Sequence, residues 1–198
     1  MISHEYKCVF IHPPGNGGKS IEKALFGVLP IPGSADHRTI KKWQQKLGKK
    51  LFNSYFKFVF VRNPWDRLVS IYHRRLSFLL TDSKYKKVDG HLNLNSFDEF
   101  IKACNPNKVW HLEKGPSSQS HYILNRAGNI GVDFIGRLEN YEEDWQKVCE
   151  KLNVGNISLP HLNKSLHEEY WKYYNKKLIK IVAEKFEKDI KLFNYKFK

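Results

Sequence analysis

Short apolar runs followed by stretches with helical periodicity dominate the pattern of this chain. The run Lys7 to Ile11 predicts a short apolar strand, and the run Phe56 to Val61 has the length and the β-branched content of a strand that is buried on both faces. After the second run, the pattern predicts an amphipathic helix from Pro64 to about Leu79, because apolar residues recur at Leu68, Ile71, Tyr72 and Leu76. Asn63 is a suitable cap for this helix, and Pro64 suits its first position.

The same alternation of strand and helix continues along the chain. We expect helices at Ser20 to Phe26, Ile40 to Leu47, Ser96 to Ala103 and Tyr141 to Leu152, a strand at Val132 to Gly136, and helices at the end of the chain. This order predicts an α/β fold with a central, mainly parallel sheet flanked by helices. A length of 198 residues favours one domain, 1–198. The polar segment Thr81 to Leu94 lacks periodicity and is a candidate substrate lid.

A phosphate clamp is predicted where the strand Phe56 to Val61 ends. Arg62 leaves the carboxyl end of this strand, where open α/β sheets bind ligands, and Ser70 lies about two turns into the next helix. The planar guanidinium of arginine matches the oxygens of a phosphate group.

A glycine-rich loop follows the first strand and offers a second anion site. It comprises Gly15, Asn16, Gly17, Gly18, Lys19 and Ser20. Glycines allow backbone N–H groups to approach an anion, and the start of the following helix adds a partial positive charge. The same pattern also occurs in ordinary turns that join a strand to a helix.

The segment Val61 to Tyr72 resembles the 3'-phosphate-binding motif of sulfotransferases that use 3'-phosphoadenosine 5'-phosphosulfate (PAPS). The carbohydrate-type branch, which includes heparan sulfate 2-O-sulfotransferases and small bacterial sulfotransferase family 2 proteins, is the most similar. Further matches follow in the same order, at Cys8 to Pro14, Gly18 to Glu22, His37 to Thr39, Gln119 to Tyr122, Asp133 to Asp144 and Leu159 to Ser165. The resemblance implies a P-loop-like three-layer fold and transfer of a sulfuryl group from PAPS to a hydroxyl of a carbohydrate-like acceptor.

The resemblance also assigns roles to individual residues. It implies that residues 15 to 20 bind the 5'-phosphosulfate and that Asn163, Lys164 and Ser165 belong to a late loop that closes on the nucleotide. His37 is the preferred general base, and His12 is the next candidate. The alternative role of His12 is to orient the loop through a backbone hydrogen bond. Secondary candidates for the ligand side are Gln119, His121, Tyr122, Arg137 and Glu139.

The loop departs from the family pattern at one important position. Relatives usually carry a lysine where this chain has Gly15, and Lys19 stands at the usual threonine position. The missing lysine normally stabilises charge on the departing oxygen, so either Lys19 takes over this task or the chain is a catalytically weakened relative that binds a nucleotide or an anionic glycan. Gly18-Lys19-Ser20 also raises the alternative of a P-loop kinase, but the first glycine of that motif would fall at Pro13.

Composition narrows the classes of partner. A formal net charge of +14 favours anionic ligands, while the sequence shows no nucleic-acid-binding motif, so we expect no nucleic acid partner.

No metal-ligand spacing is present, and three scattered cysteines favour reduced thiols. No apolar run approaches the roughly 20 residues of a membrane span, and no signal peptide is visible, which favours a cytoplasmic location. The pattern does not indicate the oligomeric state.

Overall fold

The computed structural model describes residues 1–27, 36–81, 96–107, 116–160 and 167–198. In these parts of the chain, four strands form one sheet in the order β1-β2-β3-β4. The strands are β1 (Ile2–Ser3), β2 (Cys8–Ile11), β3 (Phe56–Val61) and β4 (Phe134–Arg137). The pairs β2–β3 and β3–β4 are parallel, whereas β1 pairs antiparallel with β2. The predicted α/β fold with a mainly parallel sheet is therefore confirmed.

The register brings the carboxyl ends of three strands to one edge of the sheet. Ile11 of β2 lies opposite Val59 of β3, and Val61 of β3 lies opposite Arg137 of β4. Because parallel strands run in the same direction, the segments that follow β2, β3 and β4 all leave this edge. It is the edge at which open α/β sheets bind ligands.

Helices occupy most of the remaining described chain. They are α1 (Gly18–Phe26), α2 (Ile40–Leu47), α3 (Lys49–Ser54), α4 (Pro64–Thr81), α5 (Phe97–Ala103), α6 (Ser120–Ile123), α7 (Tyr141–Leu152), α8 (Lys176–Lys185) and α9 (Glu187–Phe193), with short 3-10 turns at Leu138–Asn140 and Tyr170–Tyr173.

Most of the predicted elements are confirmed, and the differences lie at their ends. Helix α1 begins at Gly18 rather than Ser20, α4 extends to Thr81, and β4 is shifted towards Arg137. Helix α3 and strand β1 were not predicted. The candidate lid falls, beyond Thr81, outside the described residues.

The predicted cap of α4 is confirmed, and α5 has a cap of the same kind. Asn63 Oδ1 accepts a hydrogen bond from the Trp65 N–H at 3.0 Å, and Ser96 Oγ accepts one from the Glu99 N–H at 3.2 Å. Each cap satisfies a backbone donor that the first turn of a helix leaves without an intrahelical partner.

The chain forms two compact units, of which the first comprises Met1–Arg62 and Gln119–Lys164. This unit contains the sheet. Its core lies where α1 and α7 pack on one face of β2 and β3, and it consists of Cys8, Phe10, Ile21, Leu25, Phe58, Phe60, Trp145, Val148 and Cys149. The rings of Phe10 and Phe58 stack at 5.1 Å between centroids. Every residue of β2 is buried.

The second unit comprises Asn63–Ser118 and Ser165–Lys198 and is helical in its described parts. Trp65 Nε1 donates to the Ile179 carbonyl at 3.3 Å, and the Tyr174 hydroxyl donates to the Trp65 carbonyl at 2.9 Å. The buried Arg67 donates from Nη1 to the Ser117 carbonyl at 2.8 Å. The Trp65 contacts connect α4 to residues near the end of the chain, and the Arg67 contact connects it to Ser117. A single domain spanning 1–198 stays a prediction.

Two general features concern the chain as a whole. Cys8, Cys104 and Cys149 are buried free thiols. Across the described ranges, we find no helix with both the length and the apolar character needed to cross a membrane.

Candidate active site

The glycine-rich loop connects β2 to α1 at the ligand edge of the sheet. Gly15 has φ 87° and Gly17 has φ 71°, a left-handed conformation that glycine adopts without strain. An added Cβ at Gly17 would lie 2.8 Å from Leu138 Cδ1, so the Leu138 side chain would have to move to admit it. The Tyr141 hydroxyl donates to the Gly17 carbonyl at 2.8 Å. The loop is therefore held in a conformation that directs the chain into the first turn of α1.

Asn16 anchors this loop from within the protein. Its side chain is 1% exposed, and its Nδ2 donates to the Phe60 carbonyl at 2.8 Å and to Gln119 Oε1 at 2.7 Å. Asn16 was predicted to contact the donor. Nδ2 is thus hydrogen-bonded within the protein, whereas the buried Oδ1 has no hydrogen-bond partner among the described residues, and the contact between Asn16 and the donor stays a prediction.

Gln119 connects the loop to the end of β3. Its Oε1 accepts from the Arg62 N–H at 2.9 Å, and its Nε2 donates to the Arg62 carbonyl at 2.8 Å. This paired arrangement fixes the main chain of Arg62 as a neighbouring strand would. Arg62 Nη1 lies 3.5 Å from the Gly15 carbonyl oxygen, so the predicted cation and the predicted loop come together.

Three charged or titratable side chains meet beneath the start of α1. His12 Nδ1 lies 2.9 Å from Glu22 Oε1, and Lys19 Nζ lies 3.4 Å from Glu22 Oε2. The side chains of His12 and Glu22 are 5% and 2% exposed. The His12 ring covers Gly18 so closely that an added Cβ would lie 2.2 Å from Nε2. Gly18 is thus required by this packing.

The protonation states of the pair follow from burial and contact. Burial lowers the pKa of His12, against the opposing effect of its hydrogen bond to Glu22. Burial by itself would raise the pKa of Glu22, but the hydrogen bond and charge of His12 and the charge of Lys19 outweigh it and lower this pKa. Glu22 is therefore a carboxylate near neutral pH, which accepts a hydrogen bond from His12 Nδ1–H.

His37 lies directly beside this cluster. Its Nδ1 is 2.7 Å from the His12 carbonyl oxygen, and the two imidazole rings meet edge to face with centroids 4.7 Å apart. A carbonyl oxygen can only accept, so Nδ1 carries the proton and neutral His37 has its lone pair on Nε2. Burial, followed by the charge of His12, lowers the pKa of His37 to about 4. His37 is consequently neutral near pH 7 and has the form that a general base requires.

The roles of the other predicted residues stay predictions. Ser70 is 4% exposed on α4. Asn163, Lys164 and Ser165 lie outside the described residues. The Arg137 N–H donates to Asp144 Oδ2 at 2.8 Å, at the end of β4.

The arrangement around Asp133 bears on the kinase alternative. Such an enzyme needs an acidic metal ligand at the ligand edge of the sheet, but Asp133 precedes β4, at the opposite edge. Its Oδ2 accepts from the Lys57 N–H at 2.7 Å and lies 2.8 Å from Lys57 Nζ. Among the described residues, no group of three His, Cys, Asp or Glu side chains is placed to hold a metal ion.

The sequence interpretation missed several parts of this site. Glu22 stands three residues after Lys19 on one helix, a spacing that brings side chains together and could have indicated the pair. No sequence pattern links Tyr141 or Gln119 to the loop. The interpretation of His12 was wrong in its partner, because the ring contacts the Glu22 carboxylate, whereas its own backbone carbonyl binds His37.

Comparisons with known proteins agree on one family. The model of the sulfotransferase family matches residues 31–196 of this chain. A protein of Archaeoglobus fulgidus, described as uncharacterized, is 34% identical over 129 residues, which are 65% of this chain and 93% of that protein.

Several curated relatives carry the name carbohydrate sulfotransferase. Carbohydrate sulfotransferase 10 of Gallus gallus is 24% identical over 236 residues, which cover 99% of this chain and 66% of that protein. Carbohydrate sulfotransferase 11 of Mus musculus is 25% identical over 186 residues, which cover 82% of this chain and 53% of that protein. The alignments thus span about two thirds of the first relative and about half of the second.

Proposed function

Because this chain belongs to the sulfotransferase family, we propose that it transfers a sulfuryl group from PAPS to a hydroxyl group of a carbohydrate. The observation that carries the proposal is the junction of the glycine-rich loop with Arg62 through Asn16 and Gln119. It brings the backbone N–H groups of a helix start and a guanidinium to the ligand edge of the sheet. The names of two relatives support a carbohydrate acceptor.

The residues at this edge fit the anionic parts of the donor. At Gly15 and Gly17 no side chain covers the loop backbone. Arg62 Nη1 lies 3.5 Å from the Gly15 carbonyl oxygen. We assign the 5'-phosphosulfate to residues 15 to 20 and the 3'-phosphate to Arg62. Ser70, Asn163, Lys164 and Ser165 are assigned to donor binding by the family resemblance alone.

In the proposed reaction, the donor supplies the sulfuryl group, and the chain moves one proton and stabilises one charge. His37 Nε2 takes the proton of the acceptor hydroxyl as its oxygen bonds to sulfur. The bond from sulfur to the phosphate oxygen breaks, and the electron pair leaves on that oxygen. Lys19 and the first N–H groups of α1 stabilise the resulting charge. Lys19 Nζ lies 3.4 Å from Glu22 Oε2, so this carboxylate can orient the ammonium group.

Two measurements test the proposal. Calorimetry should show binding of adenosine 3',5'-bisphosphate to the wild-type protein without added metal. Incubation with PAPS and a panel of oligosaccharides should give a product heavier by about 80 Da, the mass added by a sulfuryl group. Failure to bind the bisphosphate at millimolar concentration would contradict the proposal.

The outcome also separates the alternatives. Binding of the bisphosphate without any transfer would identify a binding-only relative. Magnesium-dependent ATP hydrolysis that is abolished by Lys19→Ala would instead favour a kinase.

A further inference from the structure

The carboxylate of Glu22 lies in the interior of the first unit. Among the glutamates that the structure describes, Glu22 alone is buried, with a side chain that is 2% exposed. Removing a carboxylate from water is unfavourable, and an apolar residue at such a position is often as stabilising as a buried ion pair. The charge of Glu22 therefore points to a role other than stability.

The pair that Glu22 forms with Lys19 differs from an ordinary helix pair. On α7, Lys147 Nζ lies 2.9 Å from Glu143 Oε1, and both side chains are exposed. Such a pair is screened by water and contributes little. The side chains of Lys19 and Glu22 are only 16% and 2% exposed. Their charges are shielded from water and act more strongly on neighbouring groups.

The two oxygens of Glu22 have separate partners at different distances. Oε1 lies 2.9 Å from His12 Nδ1, within the range of a strong hydrogen bond. Oε2 lies 3.4 Å from Lys19 Nζ and has no hydrogen-bond partner within the described residues. This contact attracts the ammonium group without a short hydrogen bond that would hold it there. Lys19 can thus turn towards a bound donor while Glu22 stays in place.

His12 fixes the carboxylate from the opposite side. Its ring stacks on Phe10 with centroids 5.5 Å apart, and an added Cβ at Gly18 would lie 2.2 Å from its Nε2. A ring that is packed on two sides cannot turn freely, so its hydrogen bond defines the position of Glu22 Oε1. Lys19 is then the partner that moves.

A negative charge at this place also opposes the donor. Glu22 belongs to α1, whose first N–H groups are assigned above to the 5'-phosphosulfate. A buried carboxylate near that anion weakens its binding. An oriented ammonium group, in contrast, stabilises the charge that develops on the leaving oxygen. One carboxylate therefore affects donor affinity and turnover in opposite directions.

We propose that Glu22 is a positioning residue that acts through Lys19: it directs the ammonium group to the leaving oxygen and raises turnover while it weakens binding of the donor. This inference rests on the proposed function. It adds to the site a residue whose contacts are with Lys19 and His12 and not with the donor.

Glu22→Gln tests the inference with little change in shape. Glutamine keeps an oxygen that accepts from His12 Nδ1–H, but it removes the charge. The matched control is Glu143→Gln, which makes the same change in the exposed pair of α7. Turnover with PAPS and affinity for adenosine 3',5'-bisphosphate are measured on both variants, and on Glu22→Gln combined with Lys19→Ala. Urea denaturation verifies that each protein is folded.

Glu22→Gln should lower turnover roughly tenfold, as loss of orientation does, and should strengthen bisphosphate binding roughly two- to fivefold, since a repelling charge is gone. A purely structural role would weaken both. In the Lys19→Ala background, Glu22→Gln should cause no further loss of turnover, because the group that it orients is absent. Glu143→Gln should behave as the wild type does.

Three results would overturn the inference: weaker bisphosphate binding in Glu22→Gln, a full further loss of turnover in the Lys19→Ala background, or no difference between Glu22→Gln and the control. If Glu22→Gln does not fold, Glu22→Asp replaces it. Aspartate keeps the charge but withdraws the carboxylate by one methylene, so turnover should fall without a gain in affinity. Failure of the wild type to bind the bisphosphate or to transfer a sulfuryl group would contradict the proposed function and, with it, this inference.

Discussion

The ends of β2 and β3 are neighbours in the sheet, yet they carry different kinds of side chain. The end of β2 gathers groups that can exchange or steer protons and charge: His12, Lys19 and Glu22, with His37 beside them. The end of β3 supplies Arg62, a permanent cation whose main chain is fixed by Gln119. We therefore propose a division of roles, in which the end of β2 mainly determines turnover and the end of β3 mainly determines affinity for the donor.

The largest effect is expected from His37→Asn. Asparagine can keep a donor near the position of Nδ1, 2.7 Å from the His12 carbonyl, but it has no basic nitrogen at the position of Nε2. Turnover should fall by roughly 10²–10⁴, the usual range for loss of a general base. Bisphosphate affinity, measured by calorimetry, should stay unchanged.

The pH profile of the wild type gives a second measure of the same residue. Since the pKa of His37 is lowered to about 4, the base is neutral above that pH and becomes protonated below it. Turnover should therefore be insensitive to this group between about pH 5 and 7 and should fall as pH drops through about 4. A loss centred near 6.5 would show that His37 is not the titrating base.

Lys19→Ala tests the charge that the end of β2 supplies. If Lys19 has replaced the lysine missing at Gly15, turnover should fall by roughly 10²–10³ while bisphosphate affinity changes less, because the lost interaction is strongest in the transition state. The exposed Lys23 on the same helix offers a matched control, and Lys23→Ala should have little effect. Gly15→Lys should then help little. Unchanged turnover in Lys19→Ala would refute this role, and recovery of transfer by Gly15→Lys in an inactive wild type would indicate a binding-only relative.

Arg62→Ala tests the other half of the comparison. Removal of a charged hydrogen-bonding partner should weaken bisphosphate binding by about 2–4 kcal/mol. The effect should appear in affinity measured by calorimetry, with a smaller effect on turnover at saturating donor. Arg126 is an exposed arginine of the same unit, and Arg126→Ala should bind as the wild type does. A loss of turnover without a loss of affinity would break the proposed division.

Local sequence patterns predicted those parts of the fold and site that depend on neighbours along the chain. Strand β3 has its predicted bounds because six consecutive residues with strand propensity lie between Tyr55, which caps the end of α3, and the Arg62-Asn63-Pro64 turn. Glycines revealed the loop, because positive φ at Gly15 and Gly17 requires that residue type. Strand β1 was not predicted because its two residues form a strand only by pairing with β2. Helix α3 was not predicted because its short, lysine-rich sequence shows little helical periodicity.

Contacts between distant segments could not be predicted in the same way. Gln119 meets Arg62 across 57 positions of sequence, and Tyr141 meets Gly17 across 124. These contacts exist only after the sheet has brought the ends of β2, β3 and β4 together. The glycine-rich loop was therefore visible in the sequence, but the side chains that hold it were not.

The smallest effect is expected from Tyr141→Phe, which removes support from the loop without touching its charges. The Gly17 carbonyl would lose the hydroxyl donor at 2.8 Å but keep the Ser20 N–H at 3.1 Å, so the cost in unfolding free energy should be about 0.5–1.5 kcal/mol. Urea denaturation measures this cost. Tyr55→Phe is a matched control, because the buried Tyr55 bonds through its hydroxyl to His4 Nδ1 and precedes β3, at the edge of the sheet away from the loop. Both variants should lose similar stability, but only Tyr141→Phe should also weaken bisphosphate binding, by less than Arg62→Ala does. If both variants bind the bisphosphate equally well, the Tyr141 contact supports the fold and not the donor site.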